Sequence, residues 1–314
     1  MKVIYNLGEN KEAFRNAVLV IGVFDGVHIG HQKLIQSALK RAVELNGEVV
    51  VMTFSPHPVH VLRPDVYLPL IVSLRHRLKL IEDMGVEKCI VMEFTKEFAQ
   101  LTPQQFVKDF LVRYIQPKEV FVGDDFRFGK NRSGALEDFQ KIGEVYDIKV
   151  NGIGSIGKDE SQKIGSSMIR DLIFQGRLDE AAELLGRPVS IYEKVQSGDG
   201  RGKQLGFPTA NFYPKVQIIP PVGVYAVNVV IEGKLYRGMA NIGKRPSFHE
   251  ENEGVNVEVH IFDFNENLYD REIRVQFIKK IREEKKFESP QFLIEQLKSD
   301  EKVSRDYFRN FAQK

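Results

Sequence analysis

Two histidines three residues apart, His28 and His31, are the residues of this sequence best suited to chemistry on a phosphate. Gly26 and Gly30 lie beside them, and glycine lets a ligand approach the backbone because it has no Cβ atom. Both imidazoles can donate hydrogen bonds to phosphoryl oxygens. The plain alternative is a turn whose histidines only cap a helix or face solvent. A zinc pair is a second alternative, but no further ligands follow at a recognisable spacing.

The residues around this histidine pair predict a strand, a turn and a helix. The apolar, β-branched run Val18-Leu19-Val20-Ile21 is typical of a buried strand, and apolar residues then recur at helical spacing from Leu34 to Leu45. The histidines therefore fall at a helix N-terminus, where unpaired N–H groups and the positive end of the dipole attract phosphate.

The same alternation continues through the first half of the chain and predicts a doubly wound parallel sheet, which binds ligands at the carboxyl ends of its strands. Thr102-Pro103-Gln104-Gln105 combines an N-cap residue, a proline at the first helical position and a glutamine two residues later, which predicts a helix start. Further strands are predicted at Glu48–Phe54, Lys88–Phe94, Glu119–Gly123 and Tyr146–Val150, and further helices from Ser73 to Gly85 and from Ala135 to Ile142.

Two of these strands run into unusual residues. After Phe54 come Pro56-His57-Pro58, where two prolines are expected to hold the chain extended and present a histidine. After Gly123 come Asp125-Phe126-Arg127-Phe128, where aromatic rings alternate with an arginine, as suits a flat heterocycle beside a phosphate. A loop with two packed phenylalanines is the plain alternative.

A second phosphate cradle is predicted where Ser166 and Ser167 open a helix and Arg170 follows one turn later. The glycine-rich run from Gly152 to Asp159 resembles a dinucleotide fingerprint and nearly a P-loop. Asp159, however, stands where a P-loop needs a hydroxyl group for magnesium, and no helix follows. We interpret this run as a flexible connection.

The second half of the chain has a different hydrophobic period. A short helix, Leu178 to Leu185, ends at Gly186, and the period then changes from 3.6 to 2, which places a boundary near that residue and predicts a small closed antiparallel barrel. Ser289-Pro290 starts a helical tail that is expected to pack across the barrel. The predicted strands are Val189–Gln196, Val224–Ile231, Lys234–Ala240, Asn256–Phe262 and Glu272–Ile281, and the tail is Gln291–Phe311.

The loop from Gly198 to Asn211 is too rich in glycine for a barrel connection alone. Glycine amides can wrap nucleotide phosphates, and Thr209 with Asn211 offers the hard oxygen ligands that magnesium prefers. Alternation along a later strand sends Glu258 to the same face as His260 and Phe262. From the residues alone, an outward charge on an edge strand also explains Glu258.

Composition limits the function classes. The 314 residues suit two domains, and 45 basic against 43 acidic side chains leave no global field that would point to nucleic acid or a membrane. The charged runs Arg75–Lys79 and Lys279–Lys286 are interpreted as solvated faces. The single cysteine, Cys89, excludes an internal disulfide and is expected to be a buried strand thiol. No signal peptide or membrane-spanning run is recognised, so we expect a cytoplasmic enzyme or binding protein.

Together these motifs resemble the bacterial bifunctional riboflavin kinase/FAD synthetase family over nearly the whole chain. The run Gly22-x-Phe24-Asp25-Gly26-x-His28-x-Gly30-His31 is similar to the family's nucleotidyltransferase signature, and its His-x-Gly-His core is shared with many adenylyl- and cytidylyltransferases. Residues 53–58 and 123–129 match Thr-Phe-x-Pro-His-Pro and Gly-x-Asp/Asn-Phe-x-Phe-Gly. Residues 206–211 match the kinase signature Gly-Phe-Pro-Thr-Ala-Asn. Residues 165–170 resemble Ser-Ser-Thr-x-Ile-Arg with two departures, since Gly165 replaces the first serine and Ser167 replaces the threonine. Ser166, Ile169 and Arg170 match.

The resemblance implies an N-terminal Rossmann-like nucleotidyltransferase domain, 1–186, and a C-terminal riboflavin kinase domain, 187–314, built as a small β-barrel with a helical tail. The kinase would convert riboflavin and ATP to FMN and ADP, and the adenylyltransferase would convert FMN and a second ATP to FAD and pyrophosphate. Mg²⁺ is the implied cofactor. No nucleic acid, membrane or obligate protein partner is expected.

The resemblance also implies site residues for each step. Glu258 would be the general base of the kinase, and His28, His31 and Arg170 would stabilise the α-phosphate during adenylyl transfer. The implied ATP and phosphate ligands are Gly22, Phe24, Asp25, Gly26, Gly30, Ser166, Ser167, Gly200, Gly202, Lys203, Gly206 and Pro208, the flavin ligands are Phe54, Pro56, His57, Pro58, Asp125, Phe126, Arg127 and Phe128, and the magnesium ligands are Thr209 and Asn211.

Two other functions remain open from the sequence. The chain could be a kinase whose first domain has lost adenylyl transfer, and Gly165 is the residue that raises this alternative. It could also be a flavin-sensing protein that keeps nucleotide pockets without turnover. The presence of Thr209, Asn211 and Glu258 together argues against the sensor.

Overall fold

The computed structural model describes residues 1–5, 7–9, 13–154, 164–197, 202, 205–244 and 255–311. Two compact units make up the chain. The first unit is Met1–Leu68 with Arg77–Ser166, and the second unit is Pro69–His76 with Ser167–Lys314. None of the helices in the described ranges is long and apolar enough to cross a membrane.

A parallel sheet forms the centre of the first unit, as predicted, and it has six strands, of which the first, β1, was not predicted. The spatial order is β1-β4-β3-β2-β5-β6, and every neighbouring pair is parallel. Strand β2 is fully buried, which explains its unbroken apolar sequence. The strands are β1 Lys2–Ile4, β2 Val18–Ile21, β3 Val49–Ser55, β4 Lys88–Glu93, β5 Glu119–Gly123 and β6 Lys149–Ile153.

Helices connect these strands, mostly where the sequence predicts them. Thr102 forms a capping box with Gln105, which confirms the predicted helix start. This helix continues as a π-helical segment, Val107–Ile115, which the sequence pattern did not reveal. The helices are α1 Ile29–Glu44, α2 Pro58–Leu62, α3 Leu74–Asp83, α4 Pro103–Phe106 and α5 Leu136–Glu144, with 3₁₀ turns at Leu7–Glu9, Phe98–Gln100 and Lys130–Arg132.

The last strand of this sheet begins later than predicted. Tyr146 lies in the turn that ends α5, where its N–H donates to the carbonyl oxygen of Gly143 over 2.9 Å, and β6 starts only at Lys149. The aromatic ring at position 146 had suggested strand. The first residues of the glycine-rich run, Gly152 and Ile153, complete β6, while residues 155–159 of that run lie outside the described residues.

The second unit is an antiparallel barrel. Six strands follow the order β7-β12-β9-β10-β11-β8, and the N–H of Gln196 donates to the carbonyl oxygen of Asn211 over 3.0 Å, so one bridge joins the end of β7 to β8. The predicted Glu232-Gly233 turn has positive φ at both residues. The strands are β7 Ser190–Lys194, β8 Ala210–Phe212, β9 Gly223–Ile231, β10 Lys234–Lys244, β11 Val255–Ile261 and β12 Glu272–Arg282, and the helices are α6 Ser166–Phe174, α7 Leu178–Leu185 and α8 Pro290–Phe311.

The helical tail α8 packs on the barrel, as predicted. Leu297 contacts a cluster of Phe207, Met239 and Phe262. Arg282 on β12 forms a bidentate salt bridge with the buried Asp300 of α8, at 2.9 and 2.8 Å. The prediction that Lys279–Lys286 is a solvated face is therefore wrong at Arg282, whose side chain pairs with Asp300.

The prediction that Arg75–Lys79 is a solvated face is wrong at two residues. Arg77, in the first unit, is 1% exposed, and His76, in the second unit, is 0% exposed. The helical period explains this burial, because Arg77 precedes the buried Leu80 and Ile81 by three and four residues and shares their face. Cys89 is a buried thiol in β4, as expected, and burial raises its pKa to about 12.

Candidate active sites

The first candidate site lies where the order of strands in the parallel sheet reverses. The chain goes from β2 to β3 and β4 on one side, whereas β5 and β6 lie on the other side, so the carboxyl ends of β2 and β5 flank a topological switch point. Open α/β sheets bind ligands at this point. The loop after β2 carries Asp25 and His28, and the loop after β5 carries Asp125.

The two histidines lie together at the start of α1. Their ring centroids are 3.6 Å apart with 21° between the planes, and Phe24 packs its ring edge to face on His31 at 5.2 Å. His28 occupies the N-cap position, but its side chain forms no capping hydrogen bond. The interpretation of His28 as a mere helix cap is therefore not supported.

Gly30 is packed against this pair. A Cβ atom at position 30 would lie 3.2 Å from both Cε1 and Nδ1 of His28. Glycine at this position therefore lets the His28 ring lie over the first turn of the helix.

The backbone of the β2–α1 loop is strained. Phe24 and Val27 have φ of 54° and 41°, a region that bulky and β-branched residues rarely adopt, and Gly26 between them has φ of 84°. Each such residue costs about 1–3 kcal/mol and persists only where its surroundings hold it. The surroundings here include the Gln32 side chain, which donates to the carbonyl oxygen of Val27 over 2.8 Å. Strain held in this way is a feature of functional loops.

Ser166 contacts the same loop, whereas the other predicted residues of its helix belong to the second unit. The Ser166 hydroxyl donates to the carbonyl oxygen of Asp25 over 3.0 Å, and both residues belong to the first unit. Ser167 and Arg170 belong to the second unit, where Arg170 is 9% exposed and its Nε donates to the carbonyl oxygen of Pro69 over 2.9 Å.

The end of β3 differs from the extended corner that the sequence predicts. Pro58 is the first residue of the short helix α2, and Nδ1 of His57 accepts a hydrogen bond from the N–H of Val59 at 3.1 Å, so His57 caps this helix. Proline suits the first helical position because it has no N–H to leave unpaired. Pro56 is exposed, and Phe54 packs on Phe94 with ring centroids 5.9 Å apart.

The loop after β5 separates its polar and aromatic residues. Asp125 and Arg127 are exposed. Phe128 is 8% exposed and packs 4.7 Å from Phe139, and Phe126 stacks 5.6 Å from Phe128. The two phenylalanines therefore extend the hydrophobic core to the edge of the sheet, as the plain alternative predicted. Asp124, Asp125 and Arg127 are exposed in this loop.

The second candidate site lies on one face of the barrel. Glu258 on β11 is directly opposite Asn211 on β8 and Asn241 on β10, so three polar side chains form a row across the strands. Nδ2 of Asn256 donates to Oε1 of Glu258 over 2.8 Å, which helps to fix the orientation of this carboxylate. Glu258 is not a charge on an edge strand, because β11 lies between β8 and β10.

The glycine-rich loop approaches this row. A Cβ atom at Gly202 would lie 2.4 Å from the carbonyl oxygen of Phe207 and 3.2 Å from Oγ1 of Thr209, so only glycine fits there. Gly206 has φ of 84°, which also suits glycine. Pro208 accepts a hydrogen bond from Nδ1 of His260 at 2.9 Å. Gly200 and Lys203 lie outside the described residues.

The donor set near Glu258 suits a small hard cation. Asn211 is 7% exposed, and its Nδ2 donates to the carbonyl oxygen of Thr209 over 3.3 Å, which leaves Oδ1 on the other side of the amide. An amide oxygen, a hydroxyl oxygen and a nearby carboxylate fit magnesium, which takes few protein ligands and completes its shell with phosphate and water. In the described ranges, this site included, no group of three or more His, Cys, Asp or Glu residues is placed to hold a metal ion.

Sequence reasoning missed the polar residues behind the first site. Thr53 is 0% exposed, and its hydroxyl donates to the carbonyl oxygen of Val23 over 2.9 Å. Arg77 donates from Nη1 to Oγ1 of Thr53 and to the carbonyl oxygen of Phe54, both over 3.1 Å. Burial lowers the pKa of Arg77, and the charge of Asp25 opposes this shift. The sequence signal that could have revealed these residues was Thr53, a polar residue within an otherwise apolar strand.

Comparisons with known proteins cover both halves of the chain. The family model described as FAD synthetase matches residues 10–168, and the one described as riboflavin kinase matches residues 185–308. Proteins named bifunctional riboflavin kinase/FMN adenylyltransferase are similar over nearly their full lengths. The relative from Bacillus subtilis is 38% identical over 96% of this chain and 95% of its own, and the one from Escherichia coli K12 is 37% identical over 97% and 96%.

A crystal structure described as that of a macrolide-efflux protein from Streptococcus pneumoniae is also similar. The TM-score is 0.79 and the identity 34%, over 97% of this chain and 98% of that one. This likeness extends over both the parallel sheet and the antiparallel barrel.

Proposed function

The chain belongs to the family of bifunctional riboflavin kinases/FMN adenylyltransferases, and we propose that it catalyses both reactions for which its relatives are named. The observation that carries this proposal is the presence of two separate polar sites, one in each region matched by a family model. His28 and His31 lie within the first region, and Asn211 and Glu258 lie within the second. We also propose a domain boundary near residue 186, which is supported by the start of the riboflavin kinase match at residue 185.

In the kinase step, the 5′-hydroxyl oxygen of riboflavin attacks the γ-phosphorus of ATP, the bond to the β-phosphate oxygen breaks, and ADP leaves. Glu258 is the general base that takes the hydroxyl proton. Its carboxylate lies on the polar face of the barrel, where Asn256 donates a hydrogen bond to it. Mg²⁺ would be held by Thr209 and Asn211, and it would neutralise charge on the phosphates. Amides of the glycine-rich loop, including Gly202 and Gly206, wrap the nucleotide.

In the adenylyl-transfer step, a phosphate oxygen of FMN attacks the α-phosphorus of a second ATP, and pyrophosphate leaves. The protein supplies positioning and charge stabilisation and forms no covalent bond. His28 and His31 donate to oxygens of the α-phosphate at the positive end of the α1 dipole. Gly22, Gly26 and Gly30 are proposed as nucleotide ligands from their sequence motif, and Gly22 and Gly30 also leave room for the rings of Phe24 and His28. Arg170 and Ser167 are proposed as phosphate ligands from their sequence motif alone.

The flavin is proposed to bind at the carboxyl ends of β3 and β5. The exposed Asp125 and Arg127 offer polar contacts, and Pro56 and His57 offer a flat surface. Phe54, Phe126 and Phe128 support this surface from the core.

A reaction followed by chromatography tests the whole proposal. Purified protein is incubated with riboflavin, ATP and MgCl₂. Samples are taken at successive times, and their flavins are separated by chromatography. FMN should form first and FAD second, and chelation of magnesium with EDTA should stop both steps. Riboflavin that remains unmodified would overturn the proposal. We also propose a cytoplasmic location, which is supported by the need of both steps for ATP.

A second candidate function is a kinase with weak adenylyl transfer. It is favoured by Gly165, which replaces a serine of the family motif at the start of α6. In this case FMN would accumulate in the same reaction and FAD would form slowly or not at all.

A further inference from the structure

Strands β2 and β3 separate beside the first site, and buried polar side chains fill the gap. The ladder between them ends where the N–H of Gly22 donates to the carbonyl oxygen of Met52 over 3.1 Å. Beyond this point β3 continues to Ser55 in register with β4, while the chain after Gly22 turns into the strained β2–α1 loop. The carbonyl group of Val23 thus lies beyond the sheet and needs a donor from elsewhere.

Arg77 and Thr53 supply the missing donors as one chain of hydrogen bonds. Nη1 of Arg77 donates to the Thr53 hydroxyl, and the Thr53 hydroxyl donates to the carbonyl oxygen of Val23. The same Nη1 also donates to the carbonyl oxygen of Phe54. Both side chains are at most 1% exposed, so water does not compete for these bonds. One guanidinium group therefore ties the loop that carries His28 to the end of β3.

Packing alone does not account for a cation at this position. Arg77 lies on the same helix face as Leu80 and Ile81, where a leucine would be buried without a desolvation penalty. In the described part of the chain, Arg77 forms no salt bridge that would offset this penalty. The buried carboxylate of Asp25 interacts with it electrostatically, and this carboxylate belongs to the loop proposed to bind a polyanion.

We propose that Arg77 is a positioning residue for adenylyl transfer. Through Thr53 it fixes the β2–α1 loop relative to the end of β3, and its positive charge offsets that of Asp25. It contacts no substrate and acts through the loop. The proposal rests on the proposed function, because it assigns Arg77 a part in the formation of FAD.

Substitutions at Thr53 test the connection with little change in volume. Thr53→Val removes the hydroxyl group that links Arg77 to Val23, whereas Thr53→Ser keeps it. We expect Thr53→Val to lower kcat for FAD formation from FMN and ATP by about 10- to 100-fold, since a misplacement on the order of 1 Å costs up to about 100-fold. KM should change less than kcat. Thr53→Ser should stay within about threefold of the unchanged protein, as expected when the hydroxyl group is retained.

Arg77→Met should lower the same kcat at least as much, and the double variant Arg77→Met/Thr53→Val should be no worse than Arg77→Met alone. Residues that act through one connected network are non-additive. Arg113→Met, on an exposed face of the same unit, is the matched control and should leave kcat unchanged. If Arg77→Met does not fold, the Thr53 pair carries the test by itself.

The riboflavin kinase activity of each variant separates a local effect from general unfolding, and it should remain unchanged. Equal kcat for Thr53→Val and the unchanged protein would overturn the inference, as would losses that multiply in the double variant. If the unchanged protein forms no FAD, the proposed function fails first. If the unchanged protein forms FAD and the variants form it with the same kcat, only the role of Arg77 fails.

Discussion

The imidazole rings of His28 and His31 stack face to face, with their centroids 3.6 Å apart, at the N-terminus of α1. This stacking places the ring nitrogens of both residues beside the helix end that attracts phosphate. The arrangement depends on Phe24, whose strained backbone brings its ring against His31, and on Gly30, which leaves room for His28.

We expect His28→Ala to stop FAD formation while FMN accumulates. A donor aimed at the charge of a transition state contributes about 100- to 1,000-fold in rate, and the kinase site lies in the other family-model region. Chromatography of a reaction with riboflavin and Mg-ATP measures both products. Continued FAD synthesis in this variant would refute the role of His28.

Glu258→Gln should lower riboflavin phosphorylation by about 100- to 10,000-fold, the usual contribution of a general base. The amide keeps the shape and the hydrogen bond from Asn256 but cannot take the proton. Adenylyl transfer from added FMN should be unchanged. Glu232→Gln, in an exposed turn of the same barrel, serves as the control and should retain full kinase activity. If Glu258→Gln loses both activities together, the assignment of separate sites is wrong.

Gly30→Ala should separate stability from activity. Alanine favours the helix by up to about 1 kcal/mol over glycine, so the melting temperature should not fall. The new methyl group would lie 3.2 Å from the His28 ring and push it aside by a few tenths of an ångström. We expect kcat for FAD formation to fall about tenfold as a result. Gly154→Ala has no neighbour within 4 Å of its Cβ atom and is the control. Full activity of Gly30→Ala would show that the position of His28 is not critical.

Gly165→Ser should raise the efficiency of adenylyl transfer. A Cβ atom at position 165 has nothing within 4 Å, so a serine fits, and it restores the hydroxyl group of the family motif at the start of α6. One hydrogen bond contributes about 0.5–1.5 kcal/mol, which corresponds to roughly a two- to tenfold increase in kcat/KM for ATP. Gly165→Ala adds the Cβ atom without the hydroxyl group and should give no increase. Equal values for the serine and alanine variants would contradict a phosphate contact.

Stability should fall in acid because of His76. This side chain is 0% exposed in the second unit, and burial together with the charges of Arg187 and Arg274 lowers its pKa well below 6.5. As pH falls through about 6.5, the unfolded chain takes up a proton that the folded chain excludes, so stability decreases by up to about 1.4 kcal/mol per pH unit.

Denaturant unfolding between pH 7.5 and 5.5 measures this decrease in the free energy of unfolding. His76→Phe keeps an aromatic ring against Tyr192 and removes the titrating group, so its free energy of unfolding should depend less on pH. An equal pH dependence in the two proteins would show that His76 takes up its proton equally in the folded and unfolded states.

The sequence by itself determined the parallel sheet, the barrel and most of the elements within them, because their hydrophobic periods are local. The run Val18–Ile21 and the change of period after Gly186 needed no tertiary information. The motif around His28 was also visible as residue types at a fixed spacing, and Asn211 and Glu258 were each visible within their own segment. Tyr146 was wrongly predicted to lie in a strand because aromatic residues favour strands locally. In the structure it lies in the turn after α5, where its N–H donates to the carbonyl oxygen of Gly143.

Only the tertiary structure decided how the polar residues of each unit meet. Glu258, Asn211 and Asn241 are far apart in sequence and become neighbours through strand register. Arg77 looked like part of a charged surface, and its burial beneath Thr53 and Phe54 depends on which helix face the sheet covers. Contacts between distant segments follow from packing of the whole domain, and the spacing of residues along one segment does not contain them.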